Sequence, residues 1–248
     1  MSTEALVISS VLVAIPVFIS YKDKLDLSRD IIFSVIRAVI QLIIVGYLLD
    51  FIFGLEKPIY TIILIIIMIF NASLNTRKKE LAIENQLFIS FISILIGTSI
   101  TMTVLVLSKA IKFTPSEVIP VAGMVVSNSM VALSLSYKNL ISSYKNNGAL
   151  VEVKLALGAD IKEASKDIIR ESIKISVMPS IDSAKTLGIV SLPGMMTGLI
   201  LGGVSPLIAV KFQIMVTFMI LSSTSLSVMI ATYLSYKKFF NERKQLKY

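Results

Sequence analysis

The 248-residue sequence contains no cysteine, no histidine and no tryptophan. Without cysteine, disulfide bonds and thiolate metal sites are excluded, and without histidine the chain lacks imidazole ligands and the commonest acid–base side chain. No segment has the pattern G-x-x-x-x-G-K-[ST], so the chain has no P-loop with which to bind and hydrolyse ATP. The residue types therefore argue against a metalloenzyme or a hydrolytic triad and predict no cofactor in this chain, while they leave the question of a metal site open.

Apolar residues dominate what is present. They make up 55% of the sequence, the mean hydropathy is +0.83, and several apolar runs are long enough to cross a bilayer. This pattern predicts an all-α, polytopic membrane protein with a single membrane domain over residues 1–248, in contact with lipid. The net charge of +8 is concentrated between the apolar runs, which is typical of membrane topology, so no nucleic-acid partner is expected.

The apolar runs predict seven transmembrane helices. The first run follows Glu4 instead of a basic segment and has no cleavage pattern after it, so we expect a retained helix and not a signal peptide. The seven crossings are predicted near residues 5–20, 31–53, 59–75, 87–107, 117–137, 186–204 and 207–234.

The basic residues predict the orientation. Cytoplasmic loops of membrane proteins are enriched in lysine and arginine, so the alternate loops that hold most of them are expected inside the cell. The loops predicted to lie outside hold only Lys57, Lys109 and Lys112. The protein is expected in the plasma or inner membrane. Its N-terminus is expected outside the cell and its C-terminus in the cytoplasm. The cationic residues expected inside are Lys22, Lys24, Arg29, Arg77, Lys78, Lys79, Lys138, Lys145, Lys154, Lys162, Lys166, Arg170, Lys174, Lys185, Lys237, Lys238, Arg243, Lys244 and Lys247.

One long hydrophilic segment, about residues 138–185, separates the fifth and sixth predicted crossings. Its apolar residues recur at helical spacing, Gly158 can end one helix, and Asp160 with Glu163 is typical of the start of another. We therefore predict a helix, an elbow and a second helix. In the second helix Lys162 and Lys166 belong to an i, i+4 column of cations, and periodicity alone favours an amphipathic helix on the membrane surface over a docking element.

The segment from 179 to 206 is predicted to contain the gate. Proline removes a backbone donor and glycine tolerates unusual dihedral angles, so Pro193-Gly194 is expected to interrupt the sixth crossing. Asp182 and Lys185 are spaced for an i, i+3 ion pair at its cytoplasmic mouth. The alternative is an exposed ion pair that only keeps a helix end in water.

A second proline and glycine pair lies at Pro120 and Gly123 in the fifth crossing, shortly before Asn128. Two broken helices of opposite direction could meet near the midplane, as in many transport sites, whereas close helix packing explains the small residues equally well. Met195 and Met196 could offer thioether ligands to a soft ion, but methionine is first a flexible apolar filler.

Arg37 and Gln41 lie one helical turn apart inside the second crossing. An ionisable residue in a span is costly enough to suggest a pathway, while a position about two turns from the inner end also allows Arg37 to reach the headgroups. Asn71 and Asn75 in the third crossing are expected to make interhelical hydrogen bonds.

Several segments resemble one family of ABC-transporter permeases. The segments are VIPVAGMVVSNSMVALSLSY at 118–137, LALGAD at 155–160, PSIDSAKTLGIVSLPGMMTGLILGGVSP at 179–206 and KFQIMVTFMILSSTSLS at 211–227. They are similar to the FetB family, which is associated with iron export and metal resistance and has plant relatives linked to aluminium tolerance. Glu152 and Gly158 also have the spacing of the coupling loop of ABC permeases, although Val153 and Lys154 replace its two alanines.

The resemblance implies a cytoplasmic ABC ATPase subunit as partner, which would bind ATP and Mg²⁺, and a permease homodimer. It also implies that the ATPase docks on the elbow. The residues expected to couple the two subunits are Glu152, Leu157, Gly158, Ala159, Asp160, Lys162, Glu163 and Lys166.

Other functions stay open at this stage. An ion channel or a secondary transporter would work without an ATPase, and a membrane-embedded enzyme would need a reactive cluster that the sequence does not contain. The cargo is also open, since a metal complex, an organic anion or a lipid-like molecule could follow the same apolar route.

Overall fold

A computed structural model describes residues 4, 8–55, 58–77 and 83–247. Lys57, Lys78, Lys79 and the start of the first predicted crossing, residues 5–7, lie outside the described residues. Within the described ranges the regular structure is helical and two isolated β-bridges occur, which confirms the predicted all-α class. The chain divides into two compact units, residues 1–56 and 57–248.

The first unit contains a 3₁₀ turn at Ser10–Val13, helix α1 at Ala14–Lys22 and helix α2 at Ser28–Leu55. The turn between α1 and α2 is fixed by Ser20, whose Oγ accepts hydrogen bonds from the Leu27 backbone N–H at 3.0 Å and from the Ser28 hydroxyl at 3.1 Å. The side chains of the apolar window in α2 are exposed in the monomer, as expected of a helix whose solvent is lipid.

The second unit holds the remaining helices. Helix α9 packs against α4 and α5, α3 packs against α5, and α7 contacts both α5 and α9. At the crossing of α4 and α9, a Cβ on Gly97 would displace the Ser227 hydroxyl and press on the Ser223 carbonyl, so glycine favours this close approach. The helices are α3 Pro58–Thr76, α4 Gln86–Leu107, α5 Pro115–Ala156, α6 Ile161–Ala164, α7 Lys166–Thr186, α8 Gly194–Leu201 and α9 Pro206–Ser235, followed by a 3₁₀ turn at Tyr236–Phe239.

Helix α5 is longer than predicted. The fifth crossing was expected to end near Tyr137, but the helix continues to Ala156 and contains 42 residues, or about 63 Å. Between Tyr137 and Gly158 no proline interrupts the backbone hydrogen bonds, so nothing ends the helix at the predicted boundary. The chain bends only at Asn147, which has φ −111° and ψ 17°.

The predicted sixth crossing at 186–204 contains no helix of membrane-spanning length. Helix α7 ends at Thr186, the chain is non-helical from Leu187 to Pro193, and α8 contains only eight residues. Eight residues extend about 12 Å, less than half of a hydrocarbon core about 30 Å thick. The interruption at Pro193-Gly194 is confirmed, but it separates two helices instead of bending one.

Five described helices are long and apolar enough to cross a membrane, and Ser10–Lys22 forms a shorter apolar helix. The predicted number of seven is not confirmed, since the described part of the first crossing gives only a short apolar helix and the sixth crossing is divided. The five candidate spans are Ser28–Asp50, Pro58–Thr76, Gln86–Leu107, Pro115–Ala156 and Pro206–Phe239.

Two buried clusters hold the second unit together. The larger one contains Tyr144, which stacks on Phe239 with ring centroids 4.4 Å apart and meets Phe240 edge-on at 5.7 Å. The smaller one contains Leu105, Val118 and Val216. We call the end of the bundle with Tyr144 the elbow end, since α5 continues from it into the turn at Gly158.

Candidate functional site

A cavity of about 300 Å³ lies between α5, α7 and α9 and is bordered by the interruption before α8. Its volume is at the lower limit of typical small-molecule sites. It has apolar walls, but polar side chains from all three helices reach it. The polar lining residues are Asn128, Ser176, Ser180, Ser183, Gln213 and Thr217.

Four of the predicted pathway residues border this cavity: Asn128, Pro193, Gly194 and Met195. The antiparallel pairing of α5 with α7 explains how they meet. The Ser172 hydroxyl of α7 donates to Asn139 Oδ1 of α5 at 2.9 Å. Because the helices are antiparallel, eleven residues after Ser172 comes Ser183, and eleven residues before Asn139 comes Asn128. The two proline and glycine motifs, at 120–128 and 193–195, therefore both contribute residues to this cavity.

The backbone of α5 differs from the one predicted. Pro120 was predicted to interrupt this helix, but α5 runs through it without a break. Pro120 lies in the second turn, where its missing N–H removes only one bond near the helix start. Of the two explanations weighed for these motifs, that of two broken helices is wrong, since one continuous helix, α5, faces one interrupted segment.

The remaining pathway candidates lie elsewhere. Met196 follows Met195 in α8 but does not line the cavity. Arg37 and Gln41 are exposed on α2, in the first unit. Asn71 and Asn75 were expected to bridge helices, but each donates to a carbonyl four residues earlier in its own helix, at 3.4 and 2.8 Å.

The ion pair predicted between Asp182 and Lys185 is present, with Lys185 Nζ 2.9 Å from Asp182 Oδ1. Both side chains are more than half exposed, so the pair by itself contributes little stability. The pair flanks the cavity residues Ser183 and Ala184 near the end of α7. Along α7 the pair therefore lies level with the cavity, about 16 residues from Lys166 at the start of the helix.

The sequence analysis missed the polar residues of α7 and α9 in the cavity. Gln213 and Thr217 lie one helical turn apart, as do Ser176 and Ser180, and these spacings were visible in the sequence. What the sequence did not contain was the pairing of helices that turns these polar faces toward one another.

The turn at Gly158 is built as the sequence predicts. Gly158 has φ +93°, a conformation that favours glycine. Its N–H donates to the Leu155 carbonyl and the Ala159 N–H donates to the Lys154 carbonyl, both at 3.0 Å, which is the Schellman pattern of a helix end. Leu157, just before the turn, leaves 82% of its surface exposed.

The helix after the turn begins differently from the prediction. Asp160 occupies the N-cap position of α6, but its side chain makes no capping hydrogen bond. The helix ends after one turn at Ala164 and α7 begins at Lys166. Two of the charged residues predicted on the polar face of this helix form an ion pair, with Lys166 Nζ 3.6 Å from Glu163 Oε1.

Ion pairs tie the elbow end together. Lys154 Nζ bonds Asp167 Oδ2 at 2.8 Å and joins α5 to α7. That hydrogen bond lowers the pKa of the Asp167 carboxyl from its ordinary value of 3.8. Near the C-terminus, Lys247 Nζ bonds Glu84 Oε1 at 3.0 Å, and this hydrogen bond lowers the pKa of Glu84 from 4.5.

The described residues contain no group of three or more aspartate, glutamate, histidine or cysteine side chains that could hold a metal ion. The cavity lining also contains no ionisable side chain. The arrangement can bind a molecule by hydrogen bonds and apolar contacts, but it offers no anionic ligand to a bare metal ion.

Comparison with known proteins supports a membrane protein of one family. The model of UPF0014, described as an uncharacterised protein family, matches residues 3–240. The chain is 48% identical to the "Probable iron export permease protein FetB" of Escherichia coli K12, over 99% of this chain and 95% of that protein. It is 39% identical to the "Protein ALUMINUM SENSITIVE 3" of Arabidopsis thaliana, over 95% of this chain and 86% of that protein.

A third relative is the "UPF0014 membrane protein YjkA" of Bacillus subtilis, which is 34% identical over 98% of this chain and 97% of that protein. No solved structure matches the chain.

Proposed function

The chain belongs to the UPF0014 family, and from this premise we propose that it is the membrane permease subunit of an ABC transporter that exports iron or another metal-related substrate. The name of the Escherichia coli relative supports both the permease role and the class of cargo. The chain is a transport subunit and not an enzyme. A separate cytoplasmic ATPase subunit binds and hydrolyses ATP with Mg²⁺, because this sequence has no P-loop.

The exposed elbow is the observation that carries this proposal. Leu157 presents a large apolar surface next to a turn whose shape is fixed by two backbone hydrogen bonds. Leu157 borders a surface pocket together with the charged residues Lys154, Glu163 and Lys166, a composition suited to a protein partner. A rigid turn between two long helices can pass the motion of an ATPase to α5 and α7, both of which line the cavity.

The proposed docking residues are those of the coupling set: Glu152, Leu157, Gly158, Ala159, Asp160, Lys162, Glu163 and Lys166. Two ATPase subunits act together in ABC transporters, so two copies of this chain form the permease. The protein lies in the plasma or inner membrane with the N-terminus outside and the C-terminus in the cytoplasm, an orientation supported by the distribution of lysine and arginine.

The proposed gate combines the ion pair of Asp182 and Lys185 with the interruption at Pro193-Gly194. Both features lie at the end of α7, next to the cavity, where a shift of α7 relative to α5 would change the opening of the cavity. In the first unit, the residues proposed to line the transport pathway are Arg37 and Gln41 of α2.

Arg37 favours a second function, an ion channel or secondary transporter that needs no ATPase. It lies within the apolar window of α2, and charged residues inside a span frequently mark an ion pathway. This candidate leaves the exposed elbow without a role.

Reconstitution in proteoliposomes distinguishes the two functions. The chain is incorporated alone or with a cytoplasmic ABC ATPase from the same organism, and export is followed for free and chelated iron with and without ATP. The proposal expects transport only when the ATPase and ATP are both present. Equal transport by the chain alone would establish a channel or secondary transporter instead.

A further inference from the structure

The cavity between α5, α7 and α9 offers both hydrogen-bond acceptors and hydrogen-bond donors. Asn128 donates its Nδ2 hydrogen to the Met124 carbonyl at 2.8 Å, which leaves its Oδ1 as an acceptor. The Ser176 hydroxyl donates to the Ser172 carbonyl at 2.5 Å, and the Thr217 hydroxyl donates to the Gln213 carbonyl at 2.8 Å. The two hydroxyl donors are used within their own helices, but their oxygen lone pairs remain free, and so does the second Asn128 N–H. The Gln213 amide and the Ser180 and Ser183 hydroxyls of the lining add further donors.

Gln213 adds an acceptor without a partner. Its Oε1 is shielded from solvent and accepts no hydrogen bond from the described part of the chain. A buried polar atom without a partner costs roughly 1–3 kcal/mol, so a bound molecule that donates a hydrogen bond there would remove an existing penalty. The Gln213 side chain lines the cavity, but its Oε1 is covered, so a bound molecule reaches this atom only after the amide turns.

The cavity is also uncharged. None of its lining residues is ionisable, and the nearest charged pair, Asp182 and Lys185, is already joined at 2.9 Å. A bare ferrous or ferric ion would lose its water shell and find no anionic ligand in return, which is strongly unfavourable. An uncharged molecule enters such a site without that cost.

We propose that this cavity is the cargo site and that it takes a small uncharged molecule that forms hydrogen bonds with these polar side chains. Iron would therefore pass as a neutral chelate with its coordination shell complete, and not as a bare ion. This inference rests on the proposed permease function and specifies its substrate class.

Binding to the purified full-length chain tests the class of ligand without the ATPase. Calorimetry compares three probes: the neutral tris(acetohydroxamato)iron(III) complex, which retains N–H donors; the anionic iron(III)–EDTA complex; and aqueous ferrous ion. We expect the neutral complex to bind best. Tighter binding of ferrous ion or of the anionic complex, or no binding of the neutral complex, would overturn the assignment.

Matched substitutions test the location. Asn128→Leu should weaken binding of the neutral complex about tenfold, the loss expected for a hydrogen bond in a dry site. Asn75→Leu is the control, since Asn75 makes the same bond to a carbonyl four residues earlier but lies outside the cavity. Equal affinities of the two variants would place the binding site elsewhere.

Gln213→Leu separates a binding role from a structural one. Because Gln213 Oε1 has no partner, its removal should leave the thermal midpoint unchanged or raised while the affinity falls. A lowered midpoint with unchanged affinity would make Gln213 a structural residue and remove it from the site.

The two proposals fail in different ways. If transport in proteoliposomes does not need the ATPase but Asn128→Leu still loses binding, the ABC function fails and the cargo site stands. If transport depends on ATP and both cavity variants bind and export normally, the cargo site fails and the ABC function stands.

Discussion

Gly158 shows how one residue can set the shape of a surface. Its positive φ of +93° follows directly from its place after the last turn of α5, and both backbone hydrogen bonds of the turn depend on it. A β-branched residue in a left-handed conformation costs roughly 1–2 kcal/mol, whereas asparagine tolerates it better.

Gly158→Val should therefore deform the elbow and weaken co-purification of the ATPase, while Gly158→Asn should largely retain it. The quantity to measure is the ATPase recovered per permease in a pull-down from membranes. Full recovery with Gly158→Val, and with charge reversals at Lys162, Glu163 and Lys166, would place the dock on another surface.

Residue identity alone predicted part of the cavity. Asn128, Pro193 and Met195 stood out because polar residues and helix breakers are conspicuous in apolar spans. Gln213 and Ser180 were not recognised, because their importance depends on which helix face meets which neighbour. Periodicity assigns residues to faces, but only the packing of α7 between α5 and α9 shows that these faces enclose one cavity.

At the scale of elements, the helix boundaries followed local chemistry. The breaks at Gly158 and Pro193 were predictable since glycine and proline act on the backbone directly. The continuation of α5 past Tyr137 was not, because hydropathy detects where an apolar run ends and not where a helix ends. The elbow end is a helical extension of the bundle with polar faces, held by the Tyr144 and Phe239 stack.

The segment from α7 to α8 provides a prediction for this scale. We expect Asp182→Asn and Pro193→Ala to retain dimer assembly and ATPase docking but to lower the number of molecules transported per ATP hydrolysed. The first change removes the 2.9 Å ion pair at the end of α7, and the second allows the non-helical segment to become helical.

Transport and phosphate release are measured together in proteoliposomes, with Lys174→Gln on the elbow half of α7 as a control outside the gate. An unchanged ratio in both variants would return Asp182 and Pro193 to a structural role.

The C-terminal segment, residues 239–247, provides a second prediction for this scale. Its Lys247 bonds Glu84 and thereby links this segment to the turn before α4. The pKa of Glu84 is lowered by this bond, so the contact is fully present above the ordinary value of 4.5 and is lost as the pH falls below it.

A spin label on Asn241→Cys would report the motion of this segment, since the native chain has no other thiol. At pH 7, adding Glu84→Gln should increase the label's mobility, whereas adding Glu242→Gln should not. The label on otherwise unchanged protein should reach the higher mobility as the pH falls below 4.5. A pH-independent mobility would show that the ion pair does not hold the segment.

At the scale of the whole molecule, charge is distributed between the two ends of the second unit. The elbow end carries cations from the end of α5, the start of α7 and the C-terminal segment, while the opposite end of the bundle has Lys109, Lys112 and Lys211. This asymmetry was predictable from the sequence, since it depends on loop composition alone. The number of crossings was not, because an apolar run can form a short helix and a loop, as at 187–201.

The same asymmetry predicts that the elbow end faces the cytoplasm. The absence of native cysteine makes the test direct, because each introduced thiol is the only one in the chain. Single variants Lys112→Cys, Lys162→Cys and Glu242→Cys place that thiol at exposed positions, the first opposite the elbow end and the other two at it. A membrane-impermeant maleimide added to intact cells should label only Lys112→Cys, and all three should react after permeabilisation. Since an ATPase in the cytoplasm can reach the elbow only from that side, labelling of Lys162→Cys in intact cells would contradict both the orientation and the proposed dock.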